Sequence, residues 1–373
     1  MRTETPHAIY LKDYTPPAWL IDTVDLHVAI HEGYAEVRAT LACRRNPQGA
    51  GGALVLNGEA IALRAVGLDG TALAPSRYTL ADSTLTIVGV DSEPLPNAFM
   101  LETVVRIEPD RNTRLSGLYR SRDGYFTQCE AEGFRHITFF PDRPDVMARF
   151  TCSIEADRER FPQLLSNGNL VEQGDLDNGR HFAKWHDPFP KPSYLFALVA
   201  ADLVAREQHI RTRSGKDHLL QVWVRRGDLD KTEHAMNSLI ASVVWDEARF
   251  RLPLDLDRFM IVAVGDFNMG AMENKGLNIF NTDCVLASPS VAAFRSCYAT
   301  AIWSPAAGAR VMGAATGRAG MTPSPSRPTC LRWSPPSLRF SRTAWSPAPV
   351  VQSDSRSTSS RASSTSAPTP WQH

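Results

Sequence analysis

The sequence predicts a mainly β chain in three parts: an antiparallel β-sandwich domain over residues 1–200, a β-rich α+β segment over 201–293, and a low-complexity, disordered tail over 294–373. Three observations carry this reading. Alternating apolar and polar residues fill the first two hundred positions, a helical period appears near residue 230, and neither period survives beyond Ala293.

Ile21–Ile30 and Tyr34–Leu41 alternate as half-buried strands do, because successive strand side chains point to opposite faces. Turn signals follow at short intervals: Pro47-Gln48-Gly49, Asp69-Gly70, Asn167-Gly168-Asn169 and Asp177-Asn178-Gly179. Many short strands with such punctuation suggest an antiparallel sandwich. A proline-rich stretch, Asp187–Pro192, reads as a hinge before an apolar strand, Tyr194–Val199.

Past Ala200 the rhythm changes. Leu219–Val224 reads as a strand, and a helix follows in which Asp230 caps the first turn with Glu233 three residues on. Met236, Leu239, Ile240, Val243 and Phe250 keep to one helical face. Arg258–Val264 is a further strand, running into Gly265. This strand–helix–strand order marks a second domain beginning near residue 200.

At 373 residues the chain has room for two or three domains, and 43% hydrophobic with 21% charged residues is the make-up of a soluble globular protein. No apolar run approaches the roughly 18–20 residues of a membrane span. The stretch Met1–Pro6 is polar and does not read as a signal peptide. Cysteines at 43, 129, 152, 284, 297 and 330 form no C-x-x-C pair, which argues for reduced thiols in a cytoplasm rather than disulfides or a cysteine metal site. A monomer is expected, with no nucleic-acid and no membrane partner.

The net charge of zero averages two unlike segments. From Phe294 onward there are nine Arg, no Lys and one acid, Asp354, leaving 31 basic against 39 acidic residues in 1–293. The same eighty residues hold sixteen Ser and ten Pro, without spaced apolar groups to pack a core.

Two motifs carry chemistry. The later is Met269-Gly270-Ala271-Met272-Glu273-Asn274-Lys275-Gly276. A glycine lets another backbone approach closely, and an extended segment can pair with a peptide strand. Glu273 beside it offers a carboxylate to a free α-ammonium group. The earlier motif runs from Thr127 to His136, where Glu130 could supply a second carboxylate and Gln128 a hydrogen-bonding amide. Two acids converging on one ammonium would select peptide ends, since a cation leaving water must be paired. Solvated surface glutamates are the plainer reading of the same two residues.

The run Gly270-Ala271-Met272-Glu273-Asn274 resembles the exopeptidase signature of the gluzincin zinc aminopeptidases. Its flanks Met260–Val264 and Lys275–Asn281 resemble the bacterial aminopeptidase N branch, as do Cys129–His136, Pro141–Asp145, Leu165–Asn169 and Asp187–Val199. The likeness extends from about Tyr14 to Ala287. It implies a β-sandwich followed by a thermolysin-like catalytic domain, of which only the β-rich part is present. It implies peptide substrates with a free N-terminus, whose amine meets Glu273 with help from Glu130. Gln128 would line the same pocket, Met269 would sit against the first substrate side chain, and the backbone at Gly270 and Ala271 would hold the peptide beside zinc.

Zinc is thus expected for the family, yet this chain shows no zinc ligands. The motif His-Glu-x-x-His is absent, and after His234 the next histidine is His373. His27 and His31 are four apart, but strand alternation would separate them by about 13 Å; His181 and His186 also lie in a strand-like segment. No catalytic residue is retained, and the chain reads as an inactive truncated form; the alternative is a non-catalytic module binding peptide N-termini. A relative that hydrolyses a lipid epoxide shares similar motifs, but the long aminopeptidase N stretches favour peptides. The tail has three readings: GC-rich codons read out of phase from residues 288–294, a genuine basic disordered tail, or an unfamiliar folded domain. Under the first two, residues 201–293 would be a sheet lacking its helical partner, with apolar surface exposed.

Overall fold

A computed structural model describes residues 10–89, 94–122 and 124–288; the stretch Met1–Pro6, Cys297, Cys330 and the 294–373 tail lie outside the described residues. Of the described residues 49% are strand and 16% helix. In chain order the first fifteen strands are β1 (Trp19–His31), β2 (Tyr34–Arg45), β3 (Leu54–Asn57), β4 (Ala62–Leu68), β5 (Thr71–Ala72), β6 (Tyr78–Leu80), β7 (Thr84–Ile87), β8 (Ala98–Ile107), β9 (Gly117–Ser121), β10 (Gly124–Gln128), β11 (Met147–Asp157), β12 (Gln163–Ser166), β13 (Asn169–Asp175), β14 (Arg180–Pro192) and β15 (Leu198–Ala201). There follow β16 (Val204–Arg211), β17 (Asp217–Val224), helix α1 (Glu233–Phe250), β18 (Arg258–Val264), β19 (Ala271–Met272), β20 (Leu277–Asn281) and the short helix α2 (Thr282–Val285).

Eight strands form one sheet in the order β13-β14-β11-β1-β2-β8-β4-β5. It is antiparallel except at its centre, where β1 pairs in parallel with β11 from Thr23↔Arg149 to Ala29↔Glu155. A parallel pair needs a long connection between its strands, and the strands between β1 and β11 supply one. A four-stranded sheet, β12-β15-β10-β9, and a three-stranded sheet, β3-β7-β6, share its core. Val24, Leu26, Val28 and Ile30 of β1 are buried there with Leu54, Leu85, Tyr125 and Val199 from the other sheets. Each such apolar side chain contributes roughly 1.5–3 kcal/mol when fully buried.

The third region is the five-stranded sheet β16-β17-β18-β20-β19. Its middle strand β18 is parallel to both neighbours, β17 and β20, and is buried on both faces, which explains its unbroken apolar run. Phe259, Ile261 and Ala263 pack with Met236, Leu239 and Val243 of α1. Met260, Val262 and Val264 instead join the core of the preceding sheets. The segment therefore shares a core with the sandwich residues on one side. Four of its exposed apolar residues lie around the end of α1, Val244, Trp245, Phe250 and Leu252, and a fifth is Met269.

Four local expectations are corrected. Asp187–Pro192 is no hinge but the end of β14, paired with β11 through Met147↔Pro192 and Ala148↔Lys191. The prolines fit because β13 stops pairing at His186, leaving one edge of β14 without a ladder to interrupt. Tyr194 and Leu195 belong to a 3-10 turn, Ser193–Leu195, and the strand begins at Leu198. Asp230 does not cap α1: a 3-10 stretch, Arg226–Thr232, leads in, and no side chain caps the helix at Thr232. There Thr232 Oγ1 is already engaged, donating to the Leu229 carbonyl and accepting from Arg206 Nε. Phe250, in the helix's last turn, points outward and packs edge-on against Trp245.

Candidate functional site

The first motif emerges from β10, whose five residues are all buried. Thr127 locks the strand to β15, its Oγ1 accepting from the Leu198 amide at 2.8 Å. Gln128 is 2% exposed and donates from Nε2 to the Met269 sulfur at 2.7 Å. Its Oε1 is buried and has no hydrogen-bond partner among the described residues.

Beyond Gln128 the chain sorts its side chains sharply. Cys129 and Phe134 turn inward; Glu130, Ala131 and Glu132 face solvent. Phe134 sits edge-on to Phe140, Phe150 and Phe196 with centroids 5.2–5.8 Å away. Gly133 closes the loop, its amide donating to the Cys129 carbonyl at 2.8 Å, and the Glu130–Ala131 peptide is cis. The motif Pro141–Asp145 explains itself here. Asp142, 5% exposed, receives Arg135 Nε at 3.1 Å and the hydroxyl of Ser193. One carboxylate so ties the Glu130 loop to the turn that carries Tyr194.

The second motif hangs between β18 and β20. Asp266 anchors its approach, accepting from Ser121 Oγ at 2.8 Å, while its carbonyl accepts from Tyr119 Oη at 3.1 Å. Gly270, Ala271 and Met272 then run along the sheet edge, where β19 pairs only with β20. The Gly270 carbonyl accepts from the Asn281 amide at 2.9 Å. Met272 is fully buried as an anchor and Met269 is 38% exposed. Asn274, also fully buried, donates to the Phe196 carbonyl at 3.2 Å and leaves Oδ1 without a partner among the described residues. Asn167 bonds both the Leu195 carbonyl (3.1 Å) and the Lys275 carbonyl (2.8 Å), joining the Tyr194 turn to this motif.

These bonds bring Glu130 and Glu273 near each other. Neither carboxylate has a hydrogen bond or ion pair with a described residue. Partial burial, and then the negative charge of Glu273, hold the Glu130 carboxyl above its ordinary range. Tyr194 feels both: burial raises its hydroxyl pKa first, then the charges of Glu273 and Glu130. Tyr194 and Glu273 also line a common cavity of about 440 Å³ with Phe189, Phe259 and Lys275. Sequence reading overlooked Tyr194, whose place in an apparent strand hid it.

Metal-ligating chemistry is another matter. No group of three or more His, Cys, Asp or Glu positioned for a metal ion occurs among the described residues. His27 and His31 lie along β1, where His27 approaches Glu155 at 3.5 Å and His31 stacks on Tyr34. His181 contacts the Phe161 carbonyl and His186 the Thr151 hydroxyl. The described residues do not fit a zinc ion.

The Peptidase M1 N-terminal domain pattern matches residues 73–195, and the Peptidase family M1 domain pattern matches residues 234–301. Aminopeptidase N of Caulobacter vibrioides is 51% identical over 292 residues, covering 78% of this chain and 33% of that protein. The chain belongs to the peptidase M1 family. Aminopeptidase N of Escherichia coli is 49% identical, over 78% of this chain and 32% of its own length. The crystal structure of Legionella pneumophila aminopeptidase A in complex with aspartic acid superposes with a TM-score of 0.70 at 34% identity, over 75% of this chain and 32% of that one. The chain thus spans about a third of the length of these M1 relatives. The M1 catalytic-domain match runs on to residue 301, past the Phe294 at which the sequence pattern changes. No helix among the described residues is long and apolar enough to cross a membrane.

Proposed function

We propose that residues 10–288 form the part of a zinc aminopeptidase that recognises the free N-terminus of a peptide, and that this chain alone does not hydrolyse it. The observation carrying this reading is the pair of unpartnered carboxylates, Glu130 and Glu273, held close enough that one perturbs the other. A bound α-ammonium would relieve their repulsion and supply the missing donors. An internal peptide bond brings no such cation and leaves both acids unpaired.

The surrounding groups suit a peptide. The open edge of β19 offers Gly270 and Ala271 for backbone pairing, and Met269, half out in solvent, would meet the first side chain. The buried amides of Gln128 and Asn274 hold the two motifs in place. In this family zinc supplies the activated water and polarises the scissile carbonyl. Among the described residues no group of three or more His, Cys, Asp or Glu is positioned to hold it, and no histidine lies between His234 and His373. A cytoplasmic setting agrees with the buried, unpaired thiols of Cys43, Cys129 and Cys152.

Calorimetric titration of the chain with a short peptide bearing a free amine, and with its N-acetylated twin, tests recognition. Saturable binding of the first and none of the second is expected; equal affinity for both would refute it. Turnover of an amino-acid amide by the purified chain with added zinc would refute the second half of the proposal.

A further inference from the structure

A second concavity lies away from the Glu130–Glu273 pair and has the opposite charge. About 450 Å³ in volume, it is lined by Arg120, Arg122, Arg160, Arg225 and Arg226, with Asp202 the one acid among its described lining residues. Its residues come from the β9–β10 hairpin, the segment after β11, and the ends of β15 and β17. Only the tertiary fold assembles them. They are a positive island on a part of the chain, residues 1–293, whose acids outnumber its bases by 39 to 31.

Carboxylates fix three of the five arginines. Arg226 is fixed by Asp202 at 3.0 Å, Arg225 by Asp228 at 2.9 Å and Arg120 by Asp110 at 3.3 Å. The guanidinium groups of Arg122 and Arg160 have no carboxylate partner among the described residues, while their backbone amides donate to Asp266 Oδ2 (3.5 Å) and Asp157 Oδ1 (2.8 Å); the Arg160 guanidinium lies over the ring of Phe161 at 5.3 Å. Gly124 also lines the cleft, and an added Cβ there would run into Ala200 and Ala201. Asp202, Asp228 and Asp110 offset three of the five guanidinium charges, and the two without a carboxylate repel one another unless an anion sits between them. All five are arginines, whose planar forks match the paired oxygens of a phosphate, while a lysine would present a point charge.

We propose that this cleft binds a polyvalent phosphate group, with Arg122 and Arg160 as the residues left open for it. The anion would bridge the β9–β10 hairpin to the start of the five-stranded sheet region, and so clamp the two together. This site is independent of the amine-recognition proposal.

The test is titration of the full chain with inorganic pyrophosphate at constant ionic strength, with ATP as a second arm and a penta-glutamate peptide as a third. Saturable one-to-one binding of pyrophosphate is expected, weakened about tenfold or more in the Arg122→Gln/Arg160→Gln variant, as suits the loss of charge-assisted hydrogen bonds. Both residues are exposed, and an unchanged circular dichroism spectrum would show the variant folded. Tighter binding of ATP would assign the site to a phosphate ester, and equal or weaker binding to the free anion; either supports the proposal. Absence of saturable binding, equal affinity in the variant, or penta-glutamate binding as tightly as pyrophosphate would overturn it.

Discussion

Gln128 Nε2 donates to the sulfur of Met269 across 2.7 Å, joining the last residue of β10 to the loop before β19 over 141 residues of sequence. The two motifs of the site are therefore tied directly to each other. Asn167–Lys275 and Asn274–Phe196 repeat the connection on the other side of the motif. Glu130 and Glu273 owe their proximity to these bonds rather than to each other, since like charges separate when free to do so.

Glu273→Gln should weaken binding of a free-amine peptide by roughly 10- to 100-fold, the range for a lost hydrogen bond to a charged group. Glu130→Gln should weaken it less, because Glu130 is the more exposed. Without ligand, Glu130→Gln should leave stability at pH 7 unchanged or slightly higher, within about 0.5 kcal/mol, since solvent screens this repulsion. Calorimetric titration and thermal melts of both variants measure these effects.

Peptide affinity should depend on pH at two limbs. As pH falls, Glu130 takes up its proton above the ordinary carboxylate range, because its folded pKa is raised, and the pocket loses one negative charge. As pH rises past about 8 the peptide's own amine loses its proton and the other partner disappears. Glu130→Gln should shift the acidic limb to lower pH and leave the basic limb alone. An acidic limb that does not move would assign it to another group.

Gly270→Ala separates ligand contact from folding. The added Cβ would find only Cys284 Sγ, at an ordinary 3.7 Å, so the melting temperature should hold. On the open side of β19 the same methyl would stand between the backbone and a paired peptide. A loss of about tenfold in peptide affinity with an unchanged melt is the expected result, from a strand contact prised apart by one methyl.

The buried pair Asp187–Lys191, 3.1 Å apart and at most 1% exposed, sets a different pH response. Burial pulls the Lys191 pKa from 10.5 down to about 8, against the opposing pull of Asp187. Between those values the unfolded chain holds a proton that the folded chain has shed, so this lysine makes stability rise with pH there. Lys191→Met should flatten that rise in melts between pH 8 and 10. Asp187→Ala, which strands a buried ammonium, should cost about 3–5 kcal/mol at pH 7.

Much of the fold is legible in the sequence where one period dominates. β18 was readable at Arg258–Val264 because an apolar run bounded by Asp257 and Gly265 has little else to be. β1 and β2 show through their alternation, while their antiparallel pairing around Gly33, which adopts φ 77°, is seen only in the structure. Asp187–Pro192 misled because prolines suggest a break, whereas a strand edge without a partner tolerates them. Tyr194 could not be singled out because nothing local marks it; its role comes from the bonds of Asp142 to Ser193 and Asn167 to Leu195.

The sequence by itself determined the family, the two acidic motifs and the absence of His-Glu-x-x-His, because these are matters of residue identity and spacing. Only the tertiary structure decided that Glu130, Tyr194 and Glu273 share one electrostatic environment and that five arginines surround one cleft. Charges interact over ångströms of space, and the contacts that set those distances join residues far apart in the chain.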